Sequence, residues 1–353
     1  MKSPVYFSRL KNGESHKDCL QSLLGTIGSH FSEIGAQGII GIKMTVGDEH
    51  STGYIKPELV RMVVDTLTAQ GARPFVFDTN VIYKGRRQNA VDHLNLAYNK
   101  GFTPENIGCP YIIADSVFGT DSRALKVNFK NVKEIRVPSL AGILDDLIVL
   151  THITGHLLSG FAGSVKNVAM GMASRAGKQI QHSSIKPSID THICTMCGSC
   201  IEACPESAIS EHSGTAYVNQ NLCAGCGECI ACCKLGAVNI NWREEAHIFA
   251  ERMSEYATGI LSRVQRKLFL NFALDITKEC DCIAGDDPRI IRDTGVFASQ
   301  DILSVDRATY DMLTKRMDLF SRGGKISAHK HLFKYGQEIG LGSLDYELHE
   351  VGM

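Results

Sequence analysis

The chain has 353 residues, room for one large domain or two ordinary ones, with 44% hydrophobic and 21% charged residues as in ordinary globular proteins. A formal net charge of −1 gives no basis for a nucleic-acid-binding surface. No apolar run reaches membrane-spanning length and the opening M-K-S-P-V-Y-F-S-R-L lacks a signal-peptide core, so the expectation is a cytoplasmic protein without membrane spans.

Pro4 to Arg9 reads as an opening strand. Residues 15–34 carry Cys19, Leu20, Leu23, Leu24, Ile27 and Phe31 at helical spacing. The run G-I-I-G-I-K-M-T-V at 38–46 reads as continuous and apolar and predicts a buried parallel strand. Pro57 opens a helix with Leu59, Val60, Val63, Val64 and Leu67 on one face, and Gly71 stops it. P-F-V-F-D-T-N is the next strand, 86–100 a helix, and 111–115 and 147–154 further strands. This alternation predicts an α/β fold, a mainly parallel sheet with helices on both faces. Functional groups in such a sheet gather at the carboxyl ends of the strands, where Lys43, Asp78, Thr79, Asn80, Asp115, Thr151 and His152 fall.

Gly155, Gly160 and Gly163 then read as a turn feeding a helix that begins with Ser164, Lys166 and Asn167, whose free amides suit an anion. The segment from Gly171 to Gly177 is one residue too long for a phosphate-binding loop of the Walker type, and Gln179 replaces its hydroxyl. Arg175 and Lys178 read by default as a solvated helix face, together with Lys166. Cys19 and Cys109 read as small core residues, and His50, His93, His247, His329 and His331 as surface or structural histidines.

From about Ile185 to Trp242 the α/β pattern is interrupted by a duplicated cysteine spacing. Cys194, Cys197, Cys200 and Cys204 follow C-x2-C-x2-C-x3-C-P, and Cys223, Cys226, Cys229 and Cys233 repeat it with Lys234 in place of the proline. This is the bacterial ferredoxin pattern, in which three cysteines hold one [4Fe–4S] cube and the fourth crosses to the other. The assignment is Cys194, Cys197, Cys200 and Cys233 to one cube, and Cys223, Cys226, Cys229 and Cys204 to the second. Cys232, beside Cys233, leaves a swap open. A disulfide framework needs an oxidising compartment, and zinc sites use separated C-x2-C pairs. Eight thiolate ligands call for reducing, low-oxygen conditions. The segment 185–242 is therefore expected to be a 2[4Fe–4S] domain inserted into a main domain of residues 1–184 and 243–353.

Apolar residues recur at helical spacing from Arg243 to Asp275, which predicts one long helix returning the chain to the main domain without new buried strands. G-V-F-A-S reads as a short strand and Ile302 to Leu319 as a closing helix. Between them lies Cys280-Asp281-Cys282. Spacing alone favours packed thiols, because two cysteines underfill any coordination shell. Yet a buried carboxylate between two thiols needs a partner, so a metal site completed by His152, His156 or His182 remains open.

Several runs together resemble the ferredoxin-containing "domain of unknown function 362" iron–sulfur proteins. They are G-I-K-M-T-V-G-D-E-H, Y-I-K-P-E-L-V-R-M-V-V-D, F-D-T-N, N-A-V-D-H-L, the stretch from T-H-I-T-G-H to G-K-Q-I-Q-H, C-D-C-I-A-G-D-D-P, F-A-S-Q-D-I-L-S-V-D-R-A and L-G-S-L-D-Y-E-L. Thr154 departs from the pattern, where lysine is expected in many members. The resemblance implies an iron–sulfur protein and adds weight to Lys43, His156, Lys166, Asn167, Lys178, His182, Cys280, Asp281, Cys282 and Asp306 without supplying their roles.

The functional expectation is an electron-transfer protein or redox subunit, passing low-potential electrons through two cubes to a partner protein or to a site on the α/β domain. One alternative is a reductase-type enzyme acting on a small anionic substrate at the strand ends, with His156, Lys166, His182 and Asp281 as catalytic candidates and Lys43, Asn167, Lys178 and Asp306 lining the pocket. Another is a metal or redox sensor built on Cys280 and Cys282.

Overall fold

The computed structural model describes residues 2–28, 30, 38–83, 85–156, 159–182, 187–223, 229, 232–239, 246–280, 288–315, 320 and 328–352. In chain order the first elements are β1 (Ser3–Arg9), α1 (His16–Thr26), β2 (Ile39–Lys43), α2 (Pro57–Ala69), β3 (Arg73–Asp78), α3 (Ala90–Asn99) and β4 (Tyr111–Ile113). Next come β5 (Arg123–Lys126), β6 (Glu134–Val137), β7 (Asp146–His152), β8 (Thr154–His156), β9 (Gly160–Ala162), α4 (Ser164–Gly171) and α5 (Arg175–His182). The cysteine-rich segment carries β10 (Ser188–Ile189), β11 (Ile209–His212), β12 (Thr215–Val218) and β13 (Val238–Asn239). The chain ends with α6 (Ala246–Leu261), β14 (Arg266–Ala273), β15 (Gly295–Ser299), α7 (Ile302–Thr314), α8 (Ala328–Glu338) and β16 (Tyr346–Val351).

Eight strands form one sheet in the order β16-β1-β15-β14-β7-β2-β3-β4. Pairing is parallel throughout except where β15 lies antiparallel between β1 and β14. Strands from before the cysteine-rich segment (β1, β2, β3, β4, β7) thus share one sheet with strands from after it (β14, β15, β16).

Both faces of the sheet are buried, which explains the continuous apolar runs. Alternation sends Ile40, Ile42, Ile148, Leu150, Leu268, Leu270 and Phe272 to one core beneath α1 and α2. Phe77, Leu147, Val149, Phe269, Phe297 and the apolar faces of α6, α7 and α8 make the other. Each fully buried large side chain contributes roughly 1.5–3 kcal/mol. Helix starts follow local chemistry: Ser15 and Asp18 form a capping box on α1, Pro57 sits in the first turn of α2, and Asp301 caps α7.

The single helix expected over 243–275 is corrected: α6 ends at Leu261 and a new buried strand, β14, occupies Arg266–Ala273. A strand buried on both faces has apolar residues at both parities, so L-F-L-N-F-A also satisfies helical spacing. The strand expected over 147–154 ends at His152, and Thr154 begins the β8–β9 hairpin. No helix among the described residues is long and apolar enough to cross a membrane.

Candidate functional site

The strand order reverses between β7 and β2: β3 and β4 follow β2 to one side, while β7 lies on the other. A crevice at such a reversal, at the carboxyl ends, is the usual ligand position in this architecture. Lys43, the last residue of β2, and Asn167, on α4, meet across it with Nζ donating to Oδ1 at 2.8 Å. Asn167 in turn donates to the Leu150 carbonyl and the Thr151 hydroxyl. Lys43 is fully buried and pairs with Asp78 at the end of β3, 3.1 Å away. Gly171 makes room for it, since a Cβ there would come 2.4 Å from the Lys43 amine.

Around this pair lies a buried polar cluster. Arg87 and His93 stand 3.7 Å from the second oxygen of Asp78. Asp115 accepts from the backbone and side-chain nitrogens of Asn80, and Lys178 donates to Thr79 and to the Ala173 carbonyl. Burial would raise the Asp78 carboxyl, but Lys43, His93 and Arg87 outweigh it and hold it below the usual range. Burial pushes the Asp115 carboxyl up and the Lys178 amine down, each opposed by the other's charge. Burial also drives His93 down to about 3. Among the described residues, Asp48 Oδ2, Asn80 Oδ1, Asp78 Oδ2, Asp115 Oδ2 and both amide atoms of Gln179 are buried without a hydrogen bond. The four oxygens of Asp48, Asp78, Asn80 and Asp115 belong to this cluster, and buried acceptors of this kind are the signature of a site that holds water or a polar ligand.

The default of a solvated lysine and arginine face on α5 is corrected. Arg175 and Lys178 are both buried, because α5 turns them toward the strand ends. The expectation of an anion on the α4 amides is also corrected. Asp306 of α7 already accepts from the Ser164 and Val165 amides at 2.7 and 2.9 Å, and from Asn271. The anion at that helix start is the protein's own carboxylate.

Lys166, one residue before Asn167, points elsewhere and donates to the buried Cys280 thiol at 3.0 Å. His182 and His156 both stack on Phe249, with ring centroids 4.7 and 6.2 Å away. The Ser159 amide donates to His156 Nδ1. Burial, with His156 and Lys166 nearby, holds His182 down at about 3. Asp281 and Cys282 lie outside the described residues, as does Cys226. Among the described residues no three His, Cys, Asp or Glu side chains are arranged to hold a single metal ion.

The cysteine-rich segment folds as two copies of one unit, shifted by 29 residues (Cys204 to Cys233). Ile189 pairs with Val238, and Val218 with Ile209, which are the same pair under that shift. The Ala208 amide donates to Cys204 Sγ and the Ala237 amide to Cys233 Sγ, both at 3.2 Å. The Asp190 backbone amide donates to the Ala237 carbonyl as that of Asn219 does to the Ala208 carbonyl, both at 2.7 Å. Cys194, Cys197, Cys200 and Cys233 line one cavity together with Ile189, Ala216 and Val238. Cys204, Cys223 and Cys229 belong to the same small core. Cys233 therefore faces the cavity, whereas Cys232 turns its thiol to the Cys229 carbonyl.

Sequence reasoning passed over Arg87 and Asn271 and read Arg175 as solvated. Asn271 carried a signal: one amide inside an apolar strand must find buried partners, and it bonds Ser164, Asp306 and Thr309. Arg87 and Arg175 carried none, lying in a loop and on a short helix of mixed polarity.

Fold and site together define a mainly parallel α/β protein with a polar strand-end crevice and a cysteine-rich module. The chain belongs to the family described as Domain of unknown function (DUF362), whose model matches residues 40–311. No curated protein matches it. Among solved structures it is similar to the lactate racemase apoprotein from Thermoanaerobacterium thermosaccharolyticum, with 12% identity and a TM-score of 0.43. The likeness covers 85% of this chain and 54% of that one, so the chain spans about half the length of that protein.

Proposed function

We propose that the protein is an iron–sulfur electron-transfer protein or redox subunit, with residues 185–242 inserted as a 2[4Fe–4S] module into an α/β domain of 1–184 and 243–353. The observation that carries this reading is the duplicated cradle. Two units related by 29 residues present equivalent cysteines, and four thiols with the expected crossover line one cavity. Cys194, Cys197, Cys200 and Cys233 would hold one cube, and Cys204, Cys223, Cys226 and Cys229 the other. Amide donation to Cys204 and Cys233 stabilises negative charge on sulfur, as a thiolate ligand requires. Bound cubes supply one-electron chemistry at potentials within roughly −700 to +450 mV. The natural counterpart is a redox partner protein, and eight thiolate ligands fit a reducing compartment, the cytoplasm. The test is iron, acid-labile sulfide and low-temperature EPR on anaerobically purified protein. About eight irons and eight sulfides per chain are expected from two cubes, and zinc without sulfide would end the reading.

The strand-end cluster favours a second reading, a reductase-type site for a small anionic substrate. Lys43, Arg87 and Lys178 bring three buried cationic side chains to the strand ends. Protection of the reduced, EPR-active protein from thermal unfolding by a panel of small carboxylates and oxyanions tests it. No shift with any of them would remove this reading.

A further inference from the structure

The cysteine-rich module and the strand-end cluster meet at one buried cation, Arg175. Its guanidinium donates to the Phe118 carbonyl at 3.2 Å, in the loop after β4. The Phe118 ring in turn carries the ammonium of Lys234, the neighbour of Cys233, 5.5 Å from its centroid. Gly119 lets the arginine pass, since a Cβ there would lie 2.3 Å from Arg175 Cδ. Arg175 is thereby within electrostatic reach of Asp115 on one side and of Cys232 and Cys233 on the other. Asp115 belongs to the same cluster as Lys178 and Asn80. Lys234 is solvent-exposed and its charge is screened. Arg175 is 3% exposed, and its charge is not.

Resting on the two-cube reading above, we infer that the cube of Cys194, Cys197, Cys200 and Cys233 is the inner one, facing the strand-end site, and that Arg175 is the positioning residue that joins them. When a low-potential one-electron donor reduces that cube, one negative charge is added and no bond is made or broken. A buried guanidinium held on the Phe118 carbonyl, whose ring carries Lys234 next to Cys233, stabilises that charge and raises the potential of this cube. Of the described cysteines, Cys232 and Cys233 are the ones within electrostatic reach of Arg175, which itself lies outside the duplicated segment.

The experiment is an EPR-monitored titration with dithionite and mediators on the anaerobic full-length protein, comparing wild type with Arg175→Gln. The two signals are assigned by which one Cys197→Ser perturbs. The reduction equilibrium of the Cys197-linked cube should become about tenfold less favourable, a fall of ~59 mV for one electron, with the second cube unmoved. Asp115→Asn, which removes a negative charge facing Arg175 and changes no shape, should move the same cube the opposite way at pH 8. It serves if Arg175→Gln does not fold. Two intact cubes with both potentials unmoved, both shifted alike, or only the second shifted would overturn the inference alone. Absence of cubes would overturn the proposed function beneath it.

Discussion

Lys43 Nζ and Asp78 Oδ1 stand 3.1 Å apart at the ends of two adjacent parallel strands, both side chains almost wholly out of water. Burying two charges is costly, and the pair is retained here with Asn167, the Met44 carbonyl and the Thr79 amide as further hydrogen-bond partners, while Asp78 Oδ2 faces Arg87 and His93. That arrangement fixes the floor of the crevice and makes its charge balance sensitive to any single change.

Replacing Lys43 with Met should destabilise the protein by about 3–5 kcal/mol, because Asp78 is left buried without its main partner. The sign with pH is specific. Lys43, His93 and Arg87 depress the Asp78 carboxyl, so its contribution is present above its unfolded value and lost on acidification. The variant's carboxyl rises instead. Urea unfolding should show the deficit widest near neutral pH and narrowing as pH falls. A deficit that widens in acid would contradict the pair's role.

Asp306→Asn tests the carboxylate at the start of α4. The substitution replaces one acceptor facing the Ser164 and Val165 amides with a donor, a cost of about 1–3 kcal/mol. Burial lifts Asp306 from 3.8 to about 6, so wild type loses stability as pH rises through that window and the variant does not. Thermal unfolding at pH 4 and pH 7 should show the gap narrowing at the higher pH.

The duplicated cradle makes three cysteines separable. Cys204→Ser and Cys233→Ser should each cost one cube, lowering iron to about half of the two-cube content. Cys232→Ser should leave both, because its thiol donates to the Cys229 carbonyl. Loss of a cube on changing Cys232, with Cys233→Ser silent, would reverse their assignment.

Lys166 donates to Cys280, and neither residue lines the cavity of Cys194, Cys197, Cys200 and Cys233. Serine at both Cys280 and Cys282 should leave both EPR signals at wild-type intensity. If either signal disappears, these residues belong to the clusters and the crossover ligand set is wrong.

The cysteine module could be read from sequence because its geometry is local. Each three-cysteine run needs only a few residues of backbone, and the 29-residue shift is visible in the spacing itself. The strands β2, β3 and β7 were legible for a similar reason, since burial on both faces leaves no room for polar residues until the carboxyl end, where Lys43, Asp78 and Thr151 appear. The same two-sided burial concealed β14, whose Leu268, Phe269, Leu270 and Phe272 fit a helix equally well. Only the tertiary structure decided that Asp306 fills the start of α4, that Lys43 and Lys166 serve different partners, and that Arg175 is buried between module and crevice. Those relations join residues from roughly 60 to more than 140 positions apart along the chain, as the Arg175–Phe118 and Asp306–Ser164 bonds show. Periodicity reports which face of an element is buried. It carries no information on which distant charge will be found there.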